Sequence, residues 1–367
     1  MNEQIIHIDT AKTWRGGQQQ AAYLHEGLVR KGMDSLMVCP RDSIMESWCL
    51  THQLPVQTLP LCCEADIFSA VRLTGLVRKD KTCILHAHNA HGLTVALMTK
   101  IFSSKKISII ASRRVDFALK NNIPGQWKYR TRLLSKIVCI SHEIYHILLS
   151  QGIPEEKLII IHSGVDIHKF DKIEANNHIR HELSIPENHK IVSTVAALTG
   201  HKDYPNFLEA ARLVLQEYAP VTFIAVGDGK LSEEIMTLAE KKGLKNNVIF
   251  TGFRKDVGRI LKSSDLFIMA SKKEGMGTSI LDAEAAGLPV IGTNAGGIPE
   301  VVRHLENGLI VQRQNPKALA EAVLTLLQDD KKRNMYGSKS LELVRDFDIG
   351  ITIEKHITLY EKILKKY

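Results

Sequence analysis

The sequence predicts an α/β protein built from two doubly wound, parallel-sheet domains. Three observations lead there. Apolar β-rich runs alternate with helical patterns along the chain, and this alternation pauses in a polar stretch near residue 170 before starting again. The chain's 367 residues, 44% hydrophobic and 24% charged, are enough for two cores of ordinary size. In the first half, strands are expected at 4–9, 35–39, 84–88, 108–112, 136–141 and 158–163. Between the first two lies QQQAAYLHEGLVRKG, whose apolar residues recur at helical spacing. Strand–helix alternation of this kind implies parallel strands covered on both faces. The pause, DIHKFDKIEANNHIRHELSIPENHK, reads as a linker with a short helix. Beyond it, strands are expected at 191–198, 221–227, 248–252, 265–271, 289–294 and 308–311. Open parallel sheets bind ligands beyond the carboxyl ends of their strands, and two such sheets facing each other would enclose a cleft.

Composition narrows the function. No apolar run approaches the roughly 20 residues of a membrane-spanning helix, and MNEQIIHIDT reads as a first strand rather than an export signal. Cysteines 39, 49, 62, 63, 83 and 139 show no C-x-x-C spacing, so buried thiols in a reducing cytoplasm are expected. The net charge of +8 is uneven: residues 1–170 carry 21 Lys+Arg against 14 Asp+Glu, a surplus of +7. Residues 100–136 hold ten basic residues and a single acid, Asp116. A basic half beside a neutral half points to an anionic partner or to a solvated basic face. Nucleic acid is not the expected partner, because aromatics are only 6% and no recognised nucleic-acid motif is present.

The stretch KKEGMGTSILDAEAAGLPVIGTNAGGIPE (272–300) carries the chemistry. It follows an apolar strand run with a glycine loop and then a helix expected to begin near Thr278. Free N–H groups at a helix start favour an anion, yet Glu274 precedes that start and Asp282 lies one turn inside it. Acids beside a phosphate site make sense if they accept hydrogen bonds from sugar hydroxyls. The alternative on spacing alone is a capping box running from Ser271 to Glu274, with no ligand.

Residues 265–311 resemble the donor-binding segment of glycosyltransferase family 4, whose members have the two-domain GT-B fold. The family shows two acids eight residues apart, one before G-F-G and one opening E-A-M-A-x-G-x-P-V-I, then G-G-x-P-E. Here they read Glu274-Gly-Met-Gly, Asp282-Ala-Glu-Ala-Ala-Gly-Leu-Pro-Val-Ile and Gly296-Gly-Ile-Pro-Glu. The resemblance extends over nearly the whole chain. Gly16-Gly17 resembles the family's N-terminal glycine turn facing the donor phosphates, and HSGVDIHKF resembles the domain junction. VAALTGHKDY resembles the segment carrying a diphosphate-binding lysine, here Lys202. VGDGKL and FTGFRKDV resemble strand ends near the nucleotide base, which adds Gly227, Phe253 and Arg254. The tail from Leu341 resembles a closing helix that returns to the first domain.

The resemblance therefore implies domains at 1–170 and 171–345 and a returning helix at 346–367. It implies donor binding by Gly16, Gly17, Lys202, Gly227, Phe253, Arg254, Glu274, Gly275, Met276, Gly277, Thr278, Ser279 and Asp282. Catalytic roles fall to Glu274, Lys202 and, as replacements for missing charge, Arg113 and Arg114. That charge is missing because Ala197 stands where members often carry arginine, and Ser112-Arg113-Arg114 where many carry histidine. The second acid is also shortened from glutamate to Asp282. The expected reaction moves a hexose from a UDP- or GDP-sugar to a glycan or glycolipid hydroxyl, with retention and without metal or cofactor. Lipopolysaccharide-type synthesis suits the basic half, which would meet an anionic membrane surface through Lys100, Lys105, Lys106, Lys128, Arg130, Arg132 and Lys136. An epimerase on the same fold and a non-catalytic sugar-nucleotide-binding module are the alternatives. His86, His88 and His91 cluster at a strand end without an evident third carboxylate or sulfur ligand, so structural or acceptor-facing roles are expected. His162 and His201 are polar loop residues with no catalytic role assigned, and Asp116 is an acceptor-side candidate base.

Overall fold

The computed structural model describes residues 3–63, 66–119, 123–174 and 178–365. They form two compact units, Met1–Gly164 with Ile349–Tyr367 and Val165–Asp348. Each unit is a parallel sheet flanked by helices. The first sheet contains β1 (Glu3–Ile8), β2 (Ser35–Cys39), β3 (Val56–Thr58), β4 (Thr82–Ala87), β5 (Ile107–Arg113), β6 (Leu134–Cys139) and β7 (Leu158–Ile160). Its spatial order is β3-β2-β1-β4-β5-β6-β7. The second contains β8 (Lys190–Val195), β9 (Val221–Val226), β10 (Val248–Gly252), β11 (Leu266–Met269), β12 (Val290–Thr293) and β13 (Gly308–Val311), ordered β10-β9-β8-β11-β12-β13.

Both sheets reverse their winding at one point, between β1 and β4 in the first and between β8 and β11 in the second. The loops leaving these strands diverge and open a crevice at the carboxyl edge, where ligands bind in such sheets. The sequence did not point to β3. It is three residues long, it follows Pro55, and its central Gln57 is exposed, so it carries no periodic signal.

Continuous apolar runs become central strands because both faces are covered. Ile5, Ile84, Ile110 and Val138 of the first sheet pack against the helix Ile349–Leu364 through Ile353, Leu359, Tyr360 and Ile363. Gly27 permits this contact: a Cβ there would lie 2.3 Å from Ile353 Cδ1. In the second unit, Val192, Phe223, Ile268 and Ile291 share one core with Phe207, Leu208, Leu319 and Val323 from flanking helices. The polar stretch around 166–190 is more than a solvated linker. It forms the short helices His168–Asp171 and His178–Glu182, with Phe170 and Ile179 buried.

The cysteines divide. Cys39, Cys49, Cys83 and Cys139 are buried free thiols, and burial pushes their pKa values upward. Cys62 and Cys63 are free but exposed, which corrects the expectation of buried thiols throughout: they follow β3 on a surface loop.

Candidate functional site

The second unit's switch-point crevice carries the charged pair. The loop after β8 ends in the short turn Gly200–Lys202, and the loop after β11 carries Ser271 to Gly277. The two loops are stitched by Lys272 N donating to His201 O at 2.9 Å. Across this seam the Lys202 ammonium and the Glu274 carboxylate form an ion pair, with each side chain mostly shielded from solvent. Ser271 Oγ donates to Glu274 Oε2 at 3.2 Å, and Gly297 N donates to the Glu274 carbonyl at 3.1 Å. Ser271 therefore orients the acid and caps no helix, which removes the capping-box alternative. The helix begins at Thr278 and runs to Ala285, with Gly277 at its N-cap in the left-handed region (φ 83°) and no side-chain cap. Ile280 N donates to the Gly277 carbonyl at 2.8 Å, and the N–H groups of Thr278 and Ser279 have no partner among the described residues.

The acids of this helix have different fates. Asp282 is half-buried, and no hydrogen bond to its carboxylate is present among the described residues. Burial pushes its pKa up to about 6, with Lys169 opposing. Glu284 points into the core and is fully buried. Its Oε1 accepts from Asn307 Nδ2 at 2.8 Å, while Oε2 has no partner among the described residues. Burial raises its pKa well above the usual carboxylate range, which favours the protonated acid.

Other expected donor residues separate by what they touch. Gly227 ends β9 with φ 140°, and a Cβ there would lie 2.1 Å from the Ala196 carbonyl oxygen. Only glycine lets the loops after β8 and β9 run this close. Thr278 and Ser279 are half-buried at the helix start, and Gly275 is buried beside them. Met276 is fully buried, so only its backbone is left for a ligand. Phe253 is exposed. The guanidinium of Arg254 is engaged by Asp256 (Nε to Oδ1, 2.8 Å) and by Glu182 (Nη2 to Oε2, 3.1 Å). Its pKa is raised by those partners.

The first unit presents a second polar crevice at its own switch point. Gly16 and Gly17 open the helix Gly16–Arg30, which has no side-chain cap. Arg114 lies against this turn: a Cβ on Gly17 would be 3.3 Å from Arg114 Cδ. Its Nη1 is 3.5 Å from Ser163 Oγ, and its buried Nε has no partner among the described residues. Burial lowers its pKa to about 10, opposed by Asp9 and Tyr360. Asp9 itself accepts from Ala11 N (2.8 Å), Gln18 Nε2 (3.0 Å) and Asn89 Nδ2 (3.3 Å). Arg113 turns elsewhere, donating to the Phe117 carbonyl and lying 5.7 Å from the Tyr129 ring centre. The adjacent arginines are therefore not equivalent.

Beneath the crevice lies a histidine network. His86 and His88 share a strand face, and His7 joins them because it pairs with His86 in register across β1 and β4. The three offer nitrogens within 4.8 Å of one another. Four of their six nitrogens already bond: His7 Nδ1 with His88 Nε2 at 2.9 Å, His86 Nδ1 with Tyr360 Oη at 2.7 Å, and His86 Nε2 with Ser112 Oγ at 2.8 Å, while the buried His7 Nε2 and His88 Nδ1 have no partner among the described residues. Burial lowers the pKa of all three well below the usual histidine range, so they are neutral. His91 is the second residue of the helix Ala90–Phe102, at half-burial. His162 is in ring contact with His142, and His201 Nδ1 lies 3.3 Å from Thr199 Oγ1.

The basic stretch is largely committed to backbone. Lys128 is buried and donates to Ala90 O at 3.1 Å, Lys105 donates to Thr74 O at 2.6 Å, and Arg130 donates to Gln151 O at 2.6 Å. Lys136 bonds the Glu156 carbonyl. Lys120 lies outside the described residues. Sequence reasoning missed His7 and Asp9, and it read Ser271 only as a helix cap. The signal for Asp9 was its place at the end of β1 before a glycine pair, whereas His7 and Ser271 are recruited by pairing and loop contact.

The comparisons bear on the family and the fold. The family model described as glycosyl transferases group 1 matches residues 176–342, and that of Glycosyltransferase Family 4 matches residues 14–169. An N-acetyl-alpha-D-glucosaminyl L-malate synthase of Bacillus anthracis is 24% identical over 307 residues, covering 82% of this chain and 80% of the relative. A UDP-Gal:alpha-D-GlcNAc-diphosphoundecaprenol alpha-1,3-galactosyltransferase of Escherichia coli is 23% identical over 376 residues, covering 97% and 96%. Among solved structures, Anabaena Alr3699/HepE in complex with UDP-glucose superimposes with a TM-score of 0.85 at 21% identity, covering 98% of this chain and 100% of that one.

Proposed function

The chain belongs to glycosyltransferase family 4, with two Rossmann-like domains of the GT-B fold, and on that premise we propose that it transfers a hexose-type sugar from a nucleotide diphosphate sugar to a hydroxyl of a glycan or glycolipid acceptor. The observation that carries this reading is the Lys202–Glu274 pair at the switch point of the second sheet, beside an uncapped helix start. In this proposal the donor's diphosphate displaces Glu274 as the partner of Lys202. Glu274, held by Ser271, then turns to the hydroxyls of the transferred sugar. Thr278 and Ser279 at the helix start take a phosphate oxygen, and the unengaged carboxylate of Asp282 takes the ribose hydroxyls.

Breaking the sugar C1–O bond leaves negative charge on the diphosphate. Preorganised donors aimed at developing charge are worth on the order of 3 kcal/mol each. Lys202 and the helix N–H groups supply part of this. Arg114, rather than Arg113, is proposed as the further cation, because it lies at the Gly16-Gly17 turn, whereas Arg113 is turned to the Phe117 carbonyl. Charge compensation by these groups is the reason no divalent metal enters the proposal, and retention follows the family expectation. Uridine donors come first, since the Anabaena neighbour was solved with UDP-glucose. The E. coli relative's diphosphoundecaprenol substrate supports a lipid-linked, anionic acceptor in cell-envelope polysaccharide synthesis, used at a membrane surface.

Calorimetry and thermal shift with UDP, GDP and their sugars test the reading. A uridine or guanosine diphosphate sugar should raise the melting temperature, Glu274→Gln should abolish slow donor hydrolysis, and Arg114→Ala should weaken donor use where Arg113→Ala does not. No heat with any nucleotide sugar would refute it.

A further inference from the structure

We propose that the exposed apolar face of the helix Ile67–Leu76, continued by the end of the helix Ala90–Phe102, docks on an anionic phospholipid bilayer. This deepens the lipid-linked-acceptor reading and rests on it. Ile67, Phe68, Val71, Ile101 and Phe102 are each at least half exposed. The two helices meet where they occur: Thr99 Oγ1 lies 3.3 Å from the Ala70 carbonyl, and Lys105 Nζ is 2.6 Å from the Thr74 carbonyl. Three large apolar side chains thus share the exposed face of one helix and two more end the helix packed beside it, and apolar groups gathered in this way mark interaction surfaces.

The rim is cationic. Arg72, Lys79 and Lys106 are exposed and Lys100 is half-exposed, against the exposed Asp80; Asp66, which precedes the helix Ile67–Leu76, is buried as its cap, and Glu64 lies outside the described residues. Arg72 holds its guanidinium 4.3 Å from the Phe68 ring centre, which puts a cation beside an apolar wedge. An apolar face ringed by Lys and Arg enters the headgroup boundary while its charges meet anionic lipid. Charge decides between occupants. A second copy packing symmetrically on this face would bring the same cationic rim against itself, and like charges oppose that contact. Anionic lipid neutralises the rim. The stretch 128–136, which dominates the charge in the sequence, is a poorer anchor because Lys128, Arg130 and Lys136 already serve backbone carbonyls.

The test is co-sedimentation of the full chain with vesicles of phosphatidylglycerol and phosphatidylcholine, against phosphatidylcholine alone, at low and high salt. The chain should partition onto the anionic vesicles, less so at high salt. Phe68→Ser with Phe102→Ser should lower the partition coefficient about tenfold or more, and so should Arg72→Gln with Lys100→Gln. All four sites are at the surface, so melting temperature and nucleotide-sugar response should stay at wild-type values, and a shifted melting temperature would call for Phe68→Ser alone. The proposal is overturned if the wild type does not sediment with anionic vesicles or if both double variants bind as it does. It is also overturned if a vesicle-free dimer disappears with Phe68→Ser and Phe102→Ser. Nucleotide-sugar binding without vesicle binding sinks the docking surface alone, and vesicle binding without nucleotide-sugar binding sinks the donor reading alone.

Discussion

Acidification should unfold the first unit well before the second. The first unit encloses His7, His25, His86, His88 and His356, all neutral because burial lowers their pKa values. Burial holds His25 and His356 at about 4, against 6.5 in the unfolded chain. A group whose folded pKa is depressed takes up its proton first in the unfolded state. Such a histidine gives its full stability above pH 6.5, and that contribution drains as pH falls toward 4. The slope between those limits is about 1.4 kcal/mol per pH unit per histidine. At pH 5, His25 and His356 each remove about 2 kcal/mol, and the other three act in the same direction. Asp9, whose pKa burial raises, opposes them as a single carboxyl. A loss of about 4 kcal/mol from two residues is a large share of the 5–15 kcal/mol that typical domains possess. The second unit has the opposite sign at Asp282 and Glu284, whose raised pKa values add stability as pH falls through them. The assay is direct, because Trp14, Trp48 and Trp127 all lie in the first unit. Urea unfolding followed by tryptophan fluorescence should shift to a markedly lower midpoint at pH 5 than at pH 7.5. His356→Gln should flatten that dependence by about one proton's slope. A midpoint that is the same at both pH values, or a slope untouched by His356→Gln, would refute the reasoning.

Two further outcomes are expected. Donor affinity should fall as pH drops through about 6, where Asp282 gains its proton, and Asp282→Asn should remove that inflection while weakening binding roughly tenfold; titration calorimetry across pH checks it. Glu284→Gln should leave the second unit's stability within about 1 kcal/mol of wild type, because the protonated acid and the amide both accept from Asn307, whereas Glu284→Ala should cost about 2–4 kcal/mol in urea unfolding followed by circular dichroism.

The sequence by itself determined the two parallel sheets, because strands buried on both faces must be written as apolar runs, and the helix start at Thr278, because its glycine turn is local chemistry. It also placed Lys202 and Glu274 on candidate loops through motif spacing. Only the tertiary structure decided what those residues touch. Lys202 and Glu274 are 72 positions apart and meet because β8 and β11 are neighbours at the switch point. Arg113 and Arg114 are adjacent in the chain, yet one turns to Phe117 and Tyr129 and the other to Gly17, because successive side chains at a strand end face opposite ways. Asp282 and Glu284 are both acids of one helix, but the helix's rotation leaves the first half-buried and drives the second into the core. His7 gave no sign of joining His86 and His88 until strand register set it beside them. Local patterns fix which elements form, while burial, charge state and partnership depend on which elements become neighbours, and that is settled by packing between residues far apart in the chain.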